Sequence, residues 1–313
     1  MLKVGVIGAG DWGKNHIRIY TESDCMLIGL ADTDNSKKPI ADKYNISFFS
    51  DYRKLLPLVD AVSVVVPTNL HYSVVKECLA QGKHVLVEKP ITNDIKTAGE
   101  LVELAKNNAL ILAVGYLFRF NSAVNVLKAE MKNIGKIQYI TGRFIHSNKP
   151  PRKDSGVIFN FGIHLVDILN YVLQAKPKKI FCKKACFLSK DREDVAFIDL
   201  DYGEFIAHLE VSWFHPLKAR DFWIIGSREK IYADLFEQIV KKYPISISYE
   251  KTIAEPEINL EVHKNEPLKD EIIAFLRAIE NRNKRFNVEE EILTTRICEL
   301  ALESAKNGKE LDI

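Results

Sequence analysis

The first strand of this chain, Lys3–Ile7, runs without interruption into Gly8-Ala9-Gly10-Asp11-Trp12-Gly13, and that junction restricts the fold more than any other stretch. A G-x-G-x-x-G set between a strand and a helix has a physical reason at each glycine. Gly8 permits the tight turn, Gly10 lets the backbone approach a pyrophosphate, and Gly13 allows helix and strand to pack closely. The helix N-terminus then faces the phosphate charge. Asp11 and Trp12 are counted with the glycines as cofactor-binding positions. Nineteen residues after Gly13, at the end of the second strand, stands Asp32. A carboxylate there can bind both hydroxyls of an adenosine ribose and would repel a 2′-phosphate. Asp34 adds negative charge and no arginine follows nearby, so NAD is favoured over NADP. The competing reading has Asp32 merely capping a turn.

The surrounding pattern supports a parallel sheet. Strands are expected at Val4–Ile7, Met26–Ala31, Ala61–Val66, His84–Val87 and Leu110–Val114. Helices are expected from Gly13, over Ser36–Tyr44 apart from Pro39, and over Tyr72–Gln81 and Ile95–Asn107. Continuous apolar strands separated by amphipathic helices mean a sheet covered on both faces. Alternation stops near Phe120. Beyond it come helices at Ala123–Met131 and Phe161–Leu173, and then strands that suit an antiparallel sheet. These are Ile137–His146, Lys179–Phe187, Val195–Tyr202, Phe205–Phe214, Phe222–Gly226 and Lys230–Leu235, with Tyr202-Gly203-Glu204 as a hairpin turn. Helices near Lys269–Asn281 and Val288–Asn307 close the chain. The expected fold class is α/β: a Rossmann domain with a doubly wound parallel sheet over 1–120, and an α+β domain over 121–313 with a large, mostly antiparallel open sheet. The second domain is expected to bind substrate and to carry oligomerisation.

With 313 residues there is room for about two domains. Formal charge is +2, with Lys and Arg spread along the chain, which argues against a nucleic-acid partner. No apolar run approaches the roughly 20 residues of a membrane span. With a strand starting at Lys3, no leader peptide is expected, and the reading is cytoplasmic. The five cysteines are scattered and odd in number, which fits reduced thiols and no metal site.

Glu88-Lys89-Pro90 follows the strand His84–Val87. Loops at the C-terminal ends of parallel strands are where α/β proteins bind ligands. Proline fixes its own backbone and pushes the preceding residue into extended geometry, so Lys89 is aimed by the chain. Pro67-Thr68-Asn69 and His71 end the preceding strand; Asn69 or Thr68 can cap the next helix while also facing the dinucleotide. His16 is assigned to packing or local hydrogen bonding. On a helix at about 100° per residue, Asn160, His164, Asp167 and Tyr171 share one stripe flanked by apolar residues. That suits a buried helix with one edge lining a pocket; the alternative is a core histidine satisfied by Asp167. The segment 146–153 holds Lys149, Arg152 and Lys153, which either bind a diphosphate or uronate or form a solvated loop. Arg119 is either a substrate contact or a structural ion pair.

The glycine fingerprint, Pro67-Thr68-Asn69 with His71, Gly82-Lys83-His84 and Glu88-Lys89-Pro90 occur in that order. Val114-Gly115-Tyr116, Arg119-Phe120-Asn121 and Gly162 with His164 and Asp167 extend the set. Together they resemble the glucose–fructose oxidoreductase/inositol dehydrogenase/rhizopine catabolism (Gfo/Idh/MocA) family over essentially the whole chain. The resemblance implies an NAD(P)-dependent oxidoreductase acting on a CH–OH group of a sugar or cyclitol, with its active site between the domains. It further implies that the open sheet makes a homodimer or homotetramer interface. By resemblance Lys89, His164 and Asn160 are catalytic. Glu88, Lys89, Pro67, Thr68, Asn69 and His71 contact cofactor, and Lys89, Tyr116, Arg119, Arg152, Asn160 and His164 contact substrate. Many family dehydrogenases have aspartate at the position of Asn160. Asparagine cannot take a proton, which weakens an inositol-dehydrogenase reading and resembles the branch that oxidises C3 of nucleotide-linked amino sugars. The expectation is therefore an NAD-dependent dehydrogenase of a nucleotide-activated sugar (UDP or dTDP). The alternatives are a free inositol or hexose dehydrogenase and a non-catalytic NAD(P)-binding regulator.

Overall fold

The structure, a computed structural model, describes residues 1–147, 151, 154–281, 286 and 288–313, except the side chains of 288, 289 and 291. The chain divides into two compact units, Met1–Tyr116 with Leu268–Thr295, and Leu117–Pro267 with Arg296–Ile313. In the first unit β1 (Lys3–Ile7), α1 (Asp11–Thr21), β2 (Met26–Ala31), α2 (Lys38–Lys43), β3 (Ser47–Phe49), β4 (Ala61–Val64), α3 (Thr68–Ala80), β5 (His84–Val87), α4 (Ile95–Asn107) and β6 (Leu112–Val114) alternate. The strands form one parallel sheet in the order β3-β2-β1-β4-β5-β6. Strand order reverses between β1 and β4, the point at which open α/β sheets bind ligands beyond their strand ends. The helix expected over Ser36–Tyr44 is instead a 3₁₀ turn followed by α2, with Pro39 in the first turn of α2, where its missing N–H is tolerated. Neither Thr68 nor Asn69 caps α3. Pro67 holds that position without a side-chain bond, and both residues lie in the first helical turn.

The second unit contains α5 (Ser122–Glu130), β7 (Ile137–Ile145), α6 (Ile163–Leu173), β8 (Lys179–Ala185), β9 (Val195–Asp201), β10 (Ile206–Ser212), β11 (Ala219–Gly226), β12 (Lys230–Asp234), β13 (Ile239–Tyr243), β14 (Ile245–Ile247), β15 (Thr252–Ala254) and β16 (Ile258–Leu260). After α7 (Pro267–Glu280) and α8 (Val288–Asn307), a short β17 (Leu311–Asp312) rejoins it. The sheet order is β16-β13-β12-β11-β7-β10-β9-β8-β17. Every neighbouring pair is antiparallel except β7 with β10. One face packs beneath α5 and α6 and presents Ile140 and Phe144 from β7, Leu209 from β10 and Phe222 from β11, all buried. Gly142 belongs to this face because a Cβ there would stand 2.6 Å from the Phe222 ring. The other face carries Trp223 against Tyr232 and Tyr243, with exposed Tyr139, Phe197 and Ile206. The strands between 239 and 260 were not expected from the sequence: each runs only three to five residues, too short to establish a period of two.

Residues 268–295 return to the first unit. Leu268, Ile272, Phe275 and Leu276 of α7 enter one core with Val4, Val6, Ile17, Tyr20 and Leu30. The apolar stripe of α7 says that this helix is buried but not against which sheet.

The helix expected over 160–173 is not uniform. Ile158–Gly162 form a π-helical turn, with the Ile163 amide bonded back to the Ile158 carbonyl, and regular α6 begins only at Ile163. The wider turn rotates everything before it relative to His164. The stripe drawn at a constant 100° holds within α6 for His164, Asp167 and Tyr171, while Asn160 precedes that helix in the π turn.

Candidate functional site

In the first unit the glycine loop has the shape its spacing demands. Gly8 sits at φ +100°, and a Cβ on it would meet the Val65 carbonyl oxygen at 2.4 Å; one on Gly13 would meet the Gly8 oxygen at 2.1 Å. Above Gly10 nothing stands within 4 Å, so the backbone is open there to an approaching phosphate. Asp32 Oδ2 accepts the Ala9 amide at 2.7 Å and Oδ1 accepts that of Asp34 at 2.9 Å. Asp32 thus shapes the loop and closes a turn, and each oxygen keeps a second lone pair for a ribose hydroxyl. These residues fit a dinucleotide. Asp11 and Trp12 occupy the first turn of α1 with exposed side chains.

Below that loop, at the end of β5, lies a buried polar network. Glu88 Oε1 faces His16 Nε2 at 3.2 Å, His16 Nδ1 faces Ser63 Oγ at 3.1 Å, and Tyr20 shares that hydroxyl at 2.7 Å. Glu88 Oε2 accepts the Lys89 amide at 3.3 Å. Burial pushes the Glu88 carboxyl up, but the His16 hydrogen bond and the charges of His16, Lys89 and His71 outweigh it and hold the group below its ordinary value. Gly115 leaves room for this carboxylate, since a Cβ there would lie 3.2 Å from it. On the other side His71 presents Nδ1 to the Pro90 carbonyl at 2.7 Å and Nε2 to that of Val66 at 2.9 Å. Lys89, 8 % exposed and joined to Pro90 by a cis peptide, is thus held between Glu88 and a histidine-braced carbonyl. Thr68 is buried, while Pro67 and Asn69 are exposed. Tyr116 is 1 % exposed.

In the second unit His164, 7 % exposed, is set among aromatic rings. Phe118 meets it edge-on at 5.1 Å and Phe144 stacks at 5.7 Å, while Phe144 lies flat on Phe161 at 4.3 Å. Arg119 grips both oxygens of Asp167 at 2.5 to 3.1 Å, with Asp167 fully buried. Of the two readings of Arg119, the ion pair is the one present. Tyr171 turns to Asn125 at 3.0 Å and to Lys128 over its ring. Asn160 is half-buried in the π turn. That turn is pinned by Glu193, which accepts the Ile158 amide at 3.0 Å. Arg152, with Lys149 and Lys153, lies outside the described residues. Among the described residues no His/Cys/Asp/Glu group could hold a metal ion, and no helix is long and apolar enough to cross a membrane.

Sequence reading missed three contributors. The partner of His16 lies 72 residues away, beyond any local pattern. Glu193 sits in a strand connection. Arg220 occupies an inward position of β11, in phase with Phe222 and Ile224, and a charge in an apolar phase was a readable signal.

A family description of an oxidoreductase with an NAD-binding Rossmann fold matches residues 2–116, and the GFO/IDH/MocA C-terminal domain matches 129–232. The chain belongs to the GFO/IDH/MocA oxidoreductase family. Within that family it is similar to the UDP-N-acetylglucosamine 3-dehydrogenase of Acidithiobacillus ferrooxidans, 31% identical over 56% of each chain. It is also similar to an uncharacterized oxidoreductase of Bacillus subtilis, 29% identical over 62% of this chain and 60% of that one. These sequence matches span less than two thirds of the curated relatives' lengths. A solved structure of the Acidithiobacillus enzyme superposes with a TM-score of 0.84 at 26% identity, covering 97% of both chains. GenD2 from gentamicin A biosynthesis, solved in complex with NAD, shares the GFO/IDH/MocA fold at 20% identity, with a TM-score of 0.84 over 100% of this chain and 96% of that one.

Proposed function

We propose that this chain is an NAD-dependent dehydrogenase that oxidises a ring hydroxyl of a nucleotide-activated sugar to a ketone. One observation carries the reading: the buried His16–Glu88–Lys89–His71 network fixes a lysine at a parallel-strand end in a unit whose glycine loop fits a dinucleotide. The 31%-identical relative, a UDP-N-acetylglucosamine 3-dehydrogenase, supports the substrate class. The proposed cofactor is NAD rather than NADP, because Asp32 presents charge where a 2′-phosphate would have to sit.

When bound, the nicotinamide supplies the hydride acceptor. In the proposed reaction Lys89 donates a hydrogen bond to the alcohol oxygen and stabilises the negative charge that develops there. His164 takes the hydroxyl proton, for which an imidazole is suited near neutral pH. Phe118 and Phe144 fix its ring plane and exclude water from two sides. Asn160 supplies an amide that can orient a substrate hydroxyl and can neither give nor take charge.

The test is a screen of UDP- and dTDP-sugars with NAD, following absorbance of the reduced cofactor. Turnover of at least one nucleotide sugar is expected. Clear turnover of free inositols or hexoses, with none of any nucleotide sugar, would overturn the substrate class.

A further inference from the structure

Arg220 is the unusual cation of the second unit. It lies on β11 directly opposite Phe144 of β7, and its guanidinium carbon stands 4.5 Å over the Phe144 ring. That same ring stacks on His164, so the cation is one aromatic ring away from the proposed base. Among the described residues Arg220 Nε is buried with no hydrogen-bond partner, and Arg220 forms no ion pair. The segment 148–153, Asn-Lys-Pro-Pro-Arg-Lys, contains no acidic residue that could serve. Burial alone depresses the guanidinium's proton affinity, with no nearby charge to offset it. Other arginines of this unit are matched by a carboxylate: Arg143, on the opposite face of the sheet, by Asp221 at 2.6 Å, and Arg119 by Asp167.

A largely buried guanidinium whose Nε has no partner is costly, and removing one partner of a buried ion pair typically costs several kcal/mol. A cation–π contact recovers only part of that. The missing partner is therefore an anion that arrives from outside. Phe236, 48 % exposed, flanks the guanidinium at 5.7 Å and carries Lys218 Nζ at 3.3 Å from its centroid. Two cations share one exposed ring at the rim, where an anion attached to the substrate could reach both.

We propose that Arg220, with Lys218 and Phe236 at its rim, binds a phosphoryl oxyanion of the substrate. Guanidinium matches phosphate oxygens with a planar fork, and the exposed ring offers a face to the group attached. This rests on the reading of a nucleotide sugar as substrate, and it assigns the residue that distinguishes such a sugar from a neutral one.

The experiment compares wild type, Arg220→Met and Arg220→Lys. For the nucleotide sugar that the screen identifies, KM should rise roughly 10- to 100-fold in Arg220→Met, kcat should change far less, and Arg220→Lys should recover part of the loss. Calorimetric titration with UDP and with inorganic pyrophosphate, without turnover, should show binding to wild type that Arg220→Met loses. Two ligands separate the sources of the oxyanion: UDP binding without pyrophosphate binding places affinity in the whole nucleotide, and binding of both places it in the phosphoryl groups. Both outcomes support the proposal. Equal binding of UDP and pyrophosphate by wild type and Arg220→Met would overturn it even if nucleotide sugars are turned over. If no nucleotide sugar is a substrate, retained Arg220-dependent pyrophosphate binding would uphold the oxyanion site while the substrate reading fails.

Discussion

Glu193 reaches Ile158 only because residue 156 is glycine: a Cβ there would lie 2.1 Å from the carboxylate oxygen Oε1 that accepts the Ile158 amide. The pair sets where the π turn begins, and the π turn sets the rotation of His164. Gly156→Ala should therefore lower stability by about 1–3 kcal/mol, read as a fall in the urea midpoint, and should reduce kcat through displacement of His164. A variant as stable and as active as wild type would show that this turn tolerates the shift.

The Arg119–Asp167 pair is nearly sealed from water, with side chains 13% and 1% exposed. Asp167→Asn leaves a guanidinium without its carboxylate and should cost about 3–5 kcal/mol by chemical denaturation. Arg119→Met/Asp167→Leu together should cost much less than either change alone. If the double variant is worse than both singles, the pair stabilises through packing rather than charge.

Asp32 does two jobs, shaping the Ala9 turn and presenting charge beside it. Asp32→Ser keeps a hydrogen-bond acceptor and removes the charge. The ratio of KM for NADP to KM for NAD should fall by about tenfold or more, following the loss of charge repulsion toward a 2′-phosphate. An unchanged ratio would mean that cofactor choice is made elsewhere.

The sheet face bearing Trp223, Tyr232 and Tyr243, with Tyr139, Phe197 and Ile206 exposed, sets large apolar side chains among the Arg143–Asp221 and His208–Asp199 pairs. Isolated soluble chains seldom leave such a face uncovered. Light scattering should give a dimer or tetramer, and Tyr139→Glu with Ile206→Glu should shift the mass toward one chain. A monomeric wild type would remove the oligomer proposal.

Much of the first unit was legible because a parallel sheet writes itself locally: continuous apolar strands, helices between them, and glycines where the backbone must turn. The position of Lys89 was legible for the same reason, and that of His164 from helical spacing and the family resemblance. What remained hidden depended on distance or on cumulative geometry. The return of α7 to the first core joins residues more than two hundred positions apart. The π turn that carries Asn160 was not legible because a helical wheel assumes one constant angle per residue. Arg119 stood equally open to two readings, and the carboxylate it grips lies 48 residues away, on a helix of its own.

Glu88 and Glu193 are both buried carboxyls, yet their neighbours push them in opposite directions, and stability should follow with opposite signs. Burial raises Glu193; the backbone amide donors and Lys184 oppose this without overcoming it, and Asp194 adds to it. The folded state then holds its proton more tightly than the unfolded chain, so stability falls as pH rises from the ordinary glutamate value of about 4.3 through the higher folded value. Glu88 is held below its ordinary value by His16, Lys89 and His71 despite its burial. Its contribution is complete above the ordinary value and is lost as pH drops through the depressed folded value. Thermal melts from pH 4 to pH 8 should show Glu193→Gln gaining on wild type as pH rises, since the amide oxygen still accepts from Ile158 while the charge is gone. In melts extended down to pH 3, Glu88→Gln should instead lose ground as pH rises to about 4.3 and show no further trend above it, and its kcat should fall because the carboxylate behind Lys89 is missing. Parallel trends for the two variants would mean that the His16–Glu88 contact does not hold Glu88 as a carboxylate, and the brace assigned to Lys89 would have to be abandoned.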